Sequence, residues 1–220
     1  MENSKAKETI DETVGGKMIT VGIPVYNQRE LVIKALDSIP RRDDIEVIVI
    51  DDGSDDGTWD ELTRYFTAHE ELNAVLLYNS INKGLGYTVN RILDAAKGDY
   101  IVLLDSDDYF YTDNANELFD QVDGTDLIYF DLQVNNGDIW RLTPETKRNL
   151  CGEVKLMRRS FIGDTRCPEI RIAEDKPFYE DLLKKNPTEK FTGIVAKHYN
   201  FPREGSLTDI RIKEEQNSIK

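Results

Sequence analysis

Two acidic stretches of this 220-residue chain carry residue types that could do chemistry. The first is Asp105-Ser106-Asp107-Asp108, directly after the apolar run 100–104. In extended backbone, residues two apart point to one face, so Asp105 and Asp107 stand side by side. Two such carboxylates repel unless a hard cation, Mn²⁺ or Mg²⁺, holds them and keeps positions open for a diphosphate. Without a cation, the same residues read as an acidic turn with Ser106 as cap. The second stretch is Asp51-Asp52-Gly53-Ser54-Asp55-Asp56-Gly57-Thr58, after the β-branched run 45–50. A carboxylate at such a strand end can accept the N–H of a nucleobase. The bland alternative is a tight turn into a helix, with Asp56 or Thr58 at the N-cap. A calcium loop does not fit, because Thr63 stands where the bidentate glutamate is needed and a strand precedes the loop.

Weaker signals follow. Gly84-Leu85-Gly86 begins a dinucleotide-type pattern, but Val89 replaces its third glycine, and the pattern follows the third strand instead of the first. Lys83 beside it reaches toward a phosphate or simply solvates the surface. Asp175, with Glu174, precedes a helical pattern at Lys176 and Pro177, where an acidic residue suits the helix dipole. Arg158, Arg159, Arg166 and Arg171 could meet an anionic acceptor; surface ion pairing in an acidic protein is the heavier reading. His198 is a lone histidine, and His69 carries no assigned role. Two cysteines, Cys151 and Cys167, form neither a disulfide framework nor a four-thiolate zinc site, and read as free thiols in a reducing cytoplasm.

The elements that must position these residues alternate. Residues 19–25, 45–50, 73–78 and 100–104 read as strands; residues 28–39, 58–69 and 86–96 have helical spacing. Thr58 and Glu61 suggest a capping box, and Gly98 a helix stop. Alternation of this kind predicts an α/β fold, a mostly parallel sheet flanked by helices with ligands at the strand C-termini. Beyond residue 105, strands are expected at 126–134 and 195–201 and a short helix at 176–185, with mixed short elements between. Residues 1–17 read as a flexible leader without a secretory signal, and 209–220 as a charged tail. No apolar stretch approaches bilayer length. The formal charge of −14 disfavours nucleic acid as a partner. The pattern does not address oligomeric state.

Taken in order, Pro24-Val25-Tyr26-Asn27, Asp51-Asp52-Gly53-Ser54, Asn82-Lys83-Gly84, Asp105-Ser106-Asp107-Asp108, Glu174-Asp175 and Arg203-Glu204-Gly205-Ser206-Leu207-Thr208 resemble the family 2 glycosyltransferases of GT-A fold. The resemblance spans residues 18–208. It implies a Rossmann-like sheet with a nucleotide-sugar-binding half, 18–108, and an acceptor-binding half, 109–208. It implies a metal-dependent, inverting transfer from a nucleotide sugar, usually a UDP-sugar, to a saccharide, lipid-linked or other hydroxyl acceptor in the cytoplasm. Pro24, Tyr26, Asn27, Asp51 and Asp52 would hold base and ribose, with Lys83 near a phosphate. Asp105 and Asp107 would hold Mn²⁺ or Mg²⁺, with Ser106 at the donor. Asp175 matches the catalytic base, and Arg203 and Ser206 match a loop over the diphosphate. Some GT-A enzymes add a late histidine as metal ligand, which here would be His198. One departure is Val89 at a position where many members carry arginine; Arg91 lies two residues on. The rivals are a nucleotidyltransferase, disfavoured because no Gly-rich basic first loop is present, and a non-catalytic nucleotide-sugar-binding module.

Overall fold

A computed structural model describes residues 17–147, 154–170 and 175–206, with Asp209 and Lys213. The expected leader, most of the tail, Cys151, Arg171, Glu174, Leu207 and Thr208 lie outside the described residues. The elements run β1 (Ile19–Val25), α1 (Val32–Asp37), β2 (Ile45–Asp51), α2 (Thr58–Ala68), β3 (Ala74–Tyr78), α3 (Leu85–Ala95), β4 (Tyr100–Leu103), β5 (Tyr109–Phe110), α4 (Thr112–Phe119), β6 (Leu127–Val134), β7 (Ile139–Trp140), β8 (Lys155–Arg158), α5 (Arg159–Ile162), α6 (Asp175–Lys184) and β9 (Glu189–Tyr199).

The nine strands of the described residues join one sheet in the order β3-β2-β1-β4-β8-β6-β9-β5, with β7 on β6. The first four are parallel, as the strand–helix alternation requires. β8 then runs antiparallel to both β4 and β6, and β9 runs parallel to β6. β6 and β9 therefore point the same way as β1–β4, and all six end at one edge of the sheet.

Strand periodicity divides the core between the two faces. Ile19, Val21, Ile23 and Val25 of β1 and Val102 of β4 face α1, α2 and α4. Ile48 and Ile50 of β2 and Ile101 and Leu103 of β4 face α3 and α6, which contribute Val89, Ile92, Phe178, Tyr179 and Leu182. Each fully buried aliphatic side chain contributes about 1.5–3 kcal/mol. Gly22 in β1 lets α3 approach, since a Cβ there would stand 2.4 Å from Ile92 Cγ2.

Several local expectations are corrected. α1 begins at Val32, not at residue 28, because the loop after β2 captures the backbone before it: Gln28 N–H donates to Thr58 Oγ1 (3.1 Å) and Arg29 N–H to Asp56 Oδ2 (3.2 Å). The capping box does not form. Thr58 is already helical, its N–H donates to Asp56 Oδ1 (2.9 Å), and Glu61 turns to Arg64 (2.6 Å). Gly98 is no helix stop but a point of close approach, where a Cβ would meet Thr20 N at 2.6 Å. There Thr20 and Glu46 close the opposite edge of the sheet through Gly98 N–H and Lys97 N–H. α4 was not anticipated, and β9 starts six residues earlier than its pattern suggested, through a positive-φ Gly193 and a register shift against β6.

Candidate functional site

The shared edge gathers the segments after β1, β2, β3, β4 and β9. The segment after β1 interlocks with the loop after β2. Asn27, in left-handed backbone (φ 51°), donates its N–H to Ser54 Oγ (2.9 Å). Its side-chain amide exchanges two hydrogen bonds with Asp55: Nδ2 donates to Oδ1 (2.9 Å), and Asp55 N–H donates to Asn27 Oδ1 (3.0 Å). Pro24 is buried in β1 opposite Ile50, whereas Tyr26 is 45% exposed at the edge.

Asp51 and Asp52 are both buried and both satisfied by uncharged donors. Asp51 Oδ1 accepts Ser54 N–H (3.1 Å) and Ser54 Oγ–H (2.5 Å). Burial pushes the Asp51 carboxyl up; the Ser54 bonds oppose this, and the nearby Asp56 and Asp52 charges add to it. Asp52 faces inward. Its Oδ1 accepts Asn79 Nδ2–H (2.6 Å) and Lys83 N–H (2.9 Å), and its Oδ2 accepts Gly84 N–H (2.8 Å). Asp52 thus fixes the turn into α3 and leaves the Lys83 side chain exposed at its tip. Gly53 permits the crossing of the two loops: its φ is +75°, and a Cβ would lie 2.6 Å from the Ile81 backbone carbon.

The loop after β4 is built differently, on cations brought from the far end of the chain. Asp107 Oδ2 accepts Arg203 Nε–H at 2.7 Å, across 96 residues of sequence. Asp108 is wholly buried; Lys197 Nζ lies 2.9 Å from its Oδ2, and Asn200 N–H donates to its Oδ1 (2.8 Å). Burial pushes Asp108 up while Lys197 pulls it down. Asp105 closes the turn, its carbonyl accepting Asp108 N–H (3.0 Å), with Ser106 buried between them. Downstream, Ser206 Oγ accepts Asp209 N–H (3.1 Å) and holds the segment after Arg203.

Asp175 occupies the first turn of α6, as expected. One turn on, Tyr179 reaches the sheet, its hydroxyl 2.8 Å from that of Tyr129, which donates to Glu189 (2.8 Å). His198 has another setting. Its ring stacks on Tyr109 (4.5 Å, 10°), and Lys34 Nζ lies 3.6 Å over the centre of the same Tyr109 ring. Burial, then the Lys34 charge, pulls the imidazole below its usual range. Among the described residues, no three His, Cys, Asp or Glu side chains converge as a metal cage.

The described members of the arginine cluster are consumed structurally. Arg158 pairs with Asp126, Arg166 with Asp94 (2.6 Å), and Arg159 Nε donates to the Gly98 carbonyl (2.7 Å). Arg91 donates to Tyr78 O (2.9 Å) and Asn79 Oδ1, bracing the turn that Asp52 anchors. Sequence reasoning missed Lys197, Asn200 and Asn79. A buried acidic run demands cations and N–H donors, but nothing local tells which distant residues supply them.

The model of "Glycosyl transferase family 2" matches residues 20–180. The chain belongs to this family. Among family 2 relatives, the putative teichuronic acid biosynthesis glycosyltransferase TuaG of Bacillus subtilis is 28% identical over 78% of this chain and 74% of its own length. The poly(ribitol-phosphate) beta-glucosyltransferase of Bacillus spizizenii is 38% identical over 41% of this chain. The chain spans only 15% of that protein. Its GT-A fold is shared with solved structures: S. aureus TarS 1–349 in complex with UDP-GlcNAc (TM-score 0.74, 22% identity, 87% of this chain and 60% of that one) and the mannosyltransferase PcManGT from Pyrobaculum calidifontis with GDP-Man and Mn²⁺ (TM-score 0.72, 22% identity, 94% and 63%).

Proposed function

We propose that this chain transfers a sugar from a UDP-sugar to an acceptor hydroxyl with inversion, in the cytoplasm, and that the reaction depends on a divalent cation. The observation that carries this reading is the Asp107–Arg203 pair at the C-terminal edge of the sheet. It sets a cation-binding carboxylate against a phosphate-binding guanidinium, the two charges a metal–diphosphate needs. Residues 18–108 carry most of the donor site and residues 109–208 the acceptor site, with Arg203 and Ser206 reaching back to the diphosphate.

Asp105 and Asp107 fit Mn²⁺ or Mg²⁺. Such ions take one or two carboxylates and complete their shell with water and substrate phosphates. When bound, the cation supplies charge neutralisation for the departing diphosphate. His198, which would be a third ligand, stacks on Tyr109, over whose ring Lys34 Nζ lies.

The chain's own groups do the rest. Asn27, Asp51 and exposed Tyr26 line the place of base and ribose, while Asp52 shapes the Lys83–Gly84 turn from within. Asp175 accepts the proton of the acceptor hydroxyl as that oxygen bonds to the anomeric carbon; the bond from that carbon to the diphosphate oxygen breaks, and UDP departs. Arg203 and Ser206 belong to the segment that meets the diphosphate. TarS solved with UDP-GlcNAc supports a UDP donor, and PcManGT solved with Mn²⁺ supports the cation. An E. coli relative named UDP-Glc:alpha-D-GlcNAc-diphosphoundecaprenol beta-1,3-glucosyltransferase, 24% identical over 90% of this chain, supports a lipid-linked saccharide acceptor. No helix among the described residues is long and apolar enough to cross a membrane.

Thermal shift tests the donor site. UDP with Mn²⁺ is expected to raise the melting temperature by mass action, and NTPs alone are not. The base is tested by Asp175→Asn, expected to cost about 10²–10⁴-fold in turnover with UDP binding retained. Wild-type turnover in that variant would remove Asp175 from the role.

A further inference from the structure

Beside the carboxylate cluster stands a group of aromatic rings that the donor site does not use. Tyr199 ends β9, Phe201 follows it, and Trp140 comes from the short strand β7. Tyr199 and Phe201 stack nearly parallel, 5.5 Å apart at 13°. Trp140 leans against both, 5.4 Å from Phe201 and 5.9 Å from Tyr199. All three are half-buried, their inner sides resting on the core beneath α3 and α6.

The group is braced. Arg141, next to Trp140, donates to buried Asp131 (2.9 Å), whose other oxygen accepts Leu142 N–H (2.8 Å). Asn135, at the tip of the β6–β7 hairpin, donates its N–H to Phe201 O (3.2 Å) and its Nδ2–H to Asn200 Oδ1 (3.1 Å) and Pro202 O (3.2 Å). Rings fixed before a ligand arrives lose little freedom on binding it.

Their position ties them to the reaction. Phe201 lies between Asn200, whose N–H meets Asp108, and Arg203, which meets Asp107. Lys197 Nζ is 5.7 Å from the Tyr199 ring centre and 2.9 Å from Asp108. The rings also pack on the core face shared with α6, the helix that opens with Asp175. They thus share a core face with the helix that would carry the base.

The face of an aromatic ring carries negative charge density. The C–H face of a pyranose is weakly positive and apolar, and it suits that surface; the amides of Asn135 and Asn200 at the rim suit ring hydroxyls. Arg158, Arg159 and Arg166 offer a polyanion little, being committed to Asp126, the Gly98 carbonyl and Asp94. We infer that Trp140, Tyr199 and Phe201 form an acceptor subsite that stacks a neutral pyranose ring, an inference that rests on the transferase reading above.

The chain contains two tryptophans, so Trp59→Phe leaves Trp140 as the only indole reporter. In that background, methyl glucoside, methyl N-acetylglucosaminide and cellobiose are titrated with UDP and Mn²⁺ present, against ribitol phosphate as the anionic probe. A saturable change in Trp140 emission with a Kd of about 1–10 mM is expected for at least one neutral sugar. Phe201→Leu and Tyr199→Leu, which keep apolar bulk but remove a ring, should each weaken it about tenfold. Their melting temperatures and UDP-induced shifts should match the parent. If UDP still binds but no neutral sugar perturbs Trp140, or Phe201→Leu binds sugar as well as the parent, the subsite is refuted and the donor reading stands. If only ribitol phosphate binds, the acceptor class is wrong. If sugars bind in a ring-dependent way while UDP does not, the subsite holds and the donor reading falls.

Discussion

The loops after β2 and β4 end neighbouring parts of the same sheet edge, and both are rich in aspartate, yet they are stabilised in opposite ways. After β2, Asp51 and Asp52 are satisfied by hydroxyl, amide and backbone N–H groups from Ser54, Asn79, Lys83 and Gly84. After β4, Asp107 and Asp108 face Arg203 and Lys197, full cations from more than 80 residues later. The first loop is a preset cradle with little left to exchange. The second holds a carboxylate paired with a partly exposed guanidinium, Asp107 with Arg203. The difference lies in what satisfies the carboxylates: neutral donors closer in sequence at one loop, cations from the end of the chain at the other.

The contrast is most sharply broken at Asp108. Asp108→Asn removes the carboxylate charge 2.9 Å from the buried Lys197 ammonium, both groups being at most 2% exposed. The expected loss is about 3–5 kcal/mol, read from urea unfolding. Asp108→Leu combined with Lys197→Met should recover most of it, since an apolar pair of similar size replaces a buried ion pair at little cost. A loss below 1 kcal/mol, roughly that of an exposed pair, would mean the β4 loop does not depend on its cation.

Asp52→Asn comes next. One amide cannot accept from Lys83 N–H, Gly84 N–H and Asn79 together, so about 1–3 kcal/mol is expected to be lost. The lesion should be local, seen as faster hydrogen exchange at Lys83 and Gly84. Uniformly faster exchange across the sheet would contradict the cradle.

Asp51→Asn should have the smallest effect and the opposite sign. Because burial raises the folded carboxyl, the folded state takes up its proton more readily than the unfolded chain, so this group costs stability as pH rises through the carboxylate range. The variant should melt no lower than wild type at neutral pH, by about 1 kcal/mol or less in its favour, and the difference should shrink in acid. Asp123 has the reverse sign. Thr125 and Lys190 hold it at about 2, so its contribution is present above the ordinary carboxylate range and fades as pH falls toward that value.

The same divide governs what could be read in the sequence. β1 to β4 were legible because their apolar runs are local and the helices between them carry an unbroken period. α4 was not, since Thr112–Phe119 offers only Ala115, Leu118 and Phe119 to the core. The early part of β9 was hidden by the polar Lys190 and Thr192 and by Gly193, and its register against β6 shifts after Phe191. At the site, the acidic loops and Arg203 were each visible as short motifs. Their partnerships were not: Asp107 with Arg203, Asp108 with Lys197 and Asn200, and Asp52 with Asn79 are contacts that only the folded topology creates.

The central claim is that the edge formed by Asp105, Asp107 and Arg203 binds a divalent cation and a nucleoside diphosphate together. Calorimetric titration of UDP with and without Mn²⁺, in wild type and Asp107→Asn, tests it directly. The partly exposed Asp107–Arg203 pair is worth about 0–1 kcal/mol, so the variant should remain folded. Coupling of about 1–3 kcal/mol between UDP and Mn²⁺ is predicted in wild type, with little or none in Asp107→Asn. Equal UDP affinity in the presence and absence of Mn²⁺ in wild type, or undiminished coupling in the variant, would contradict the account.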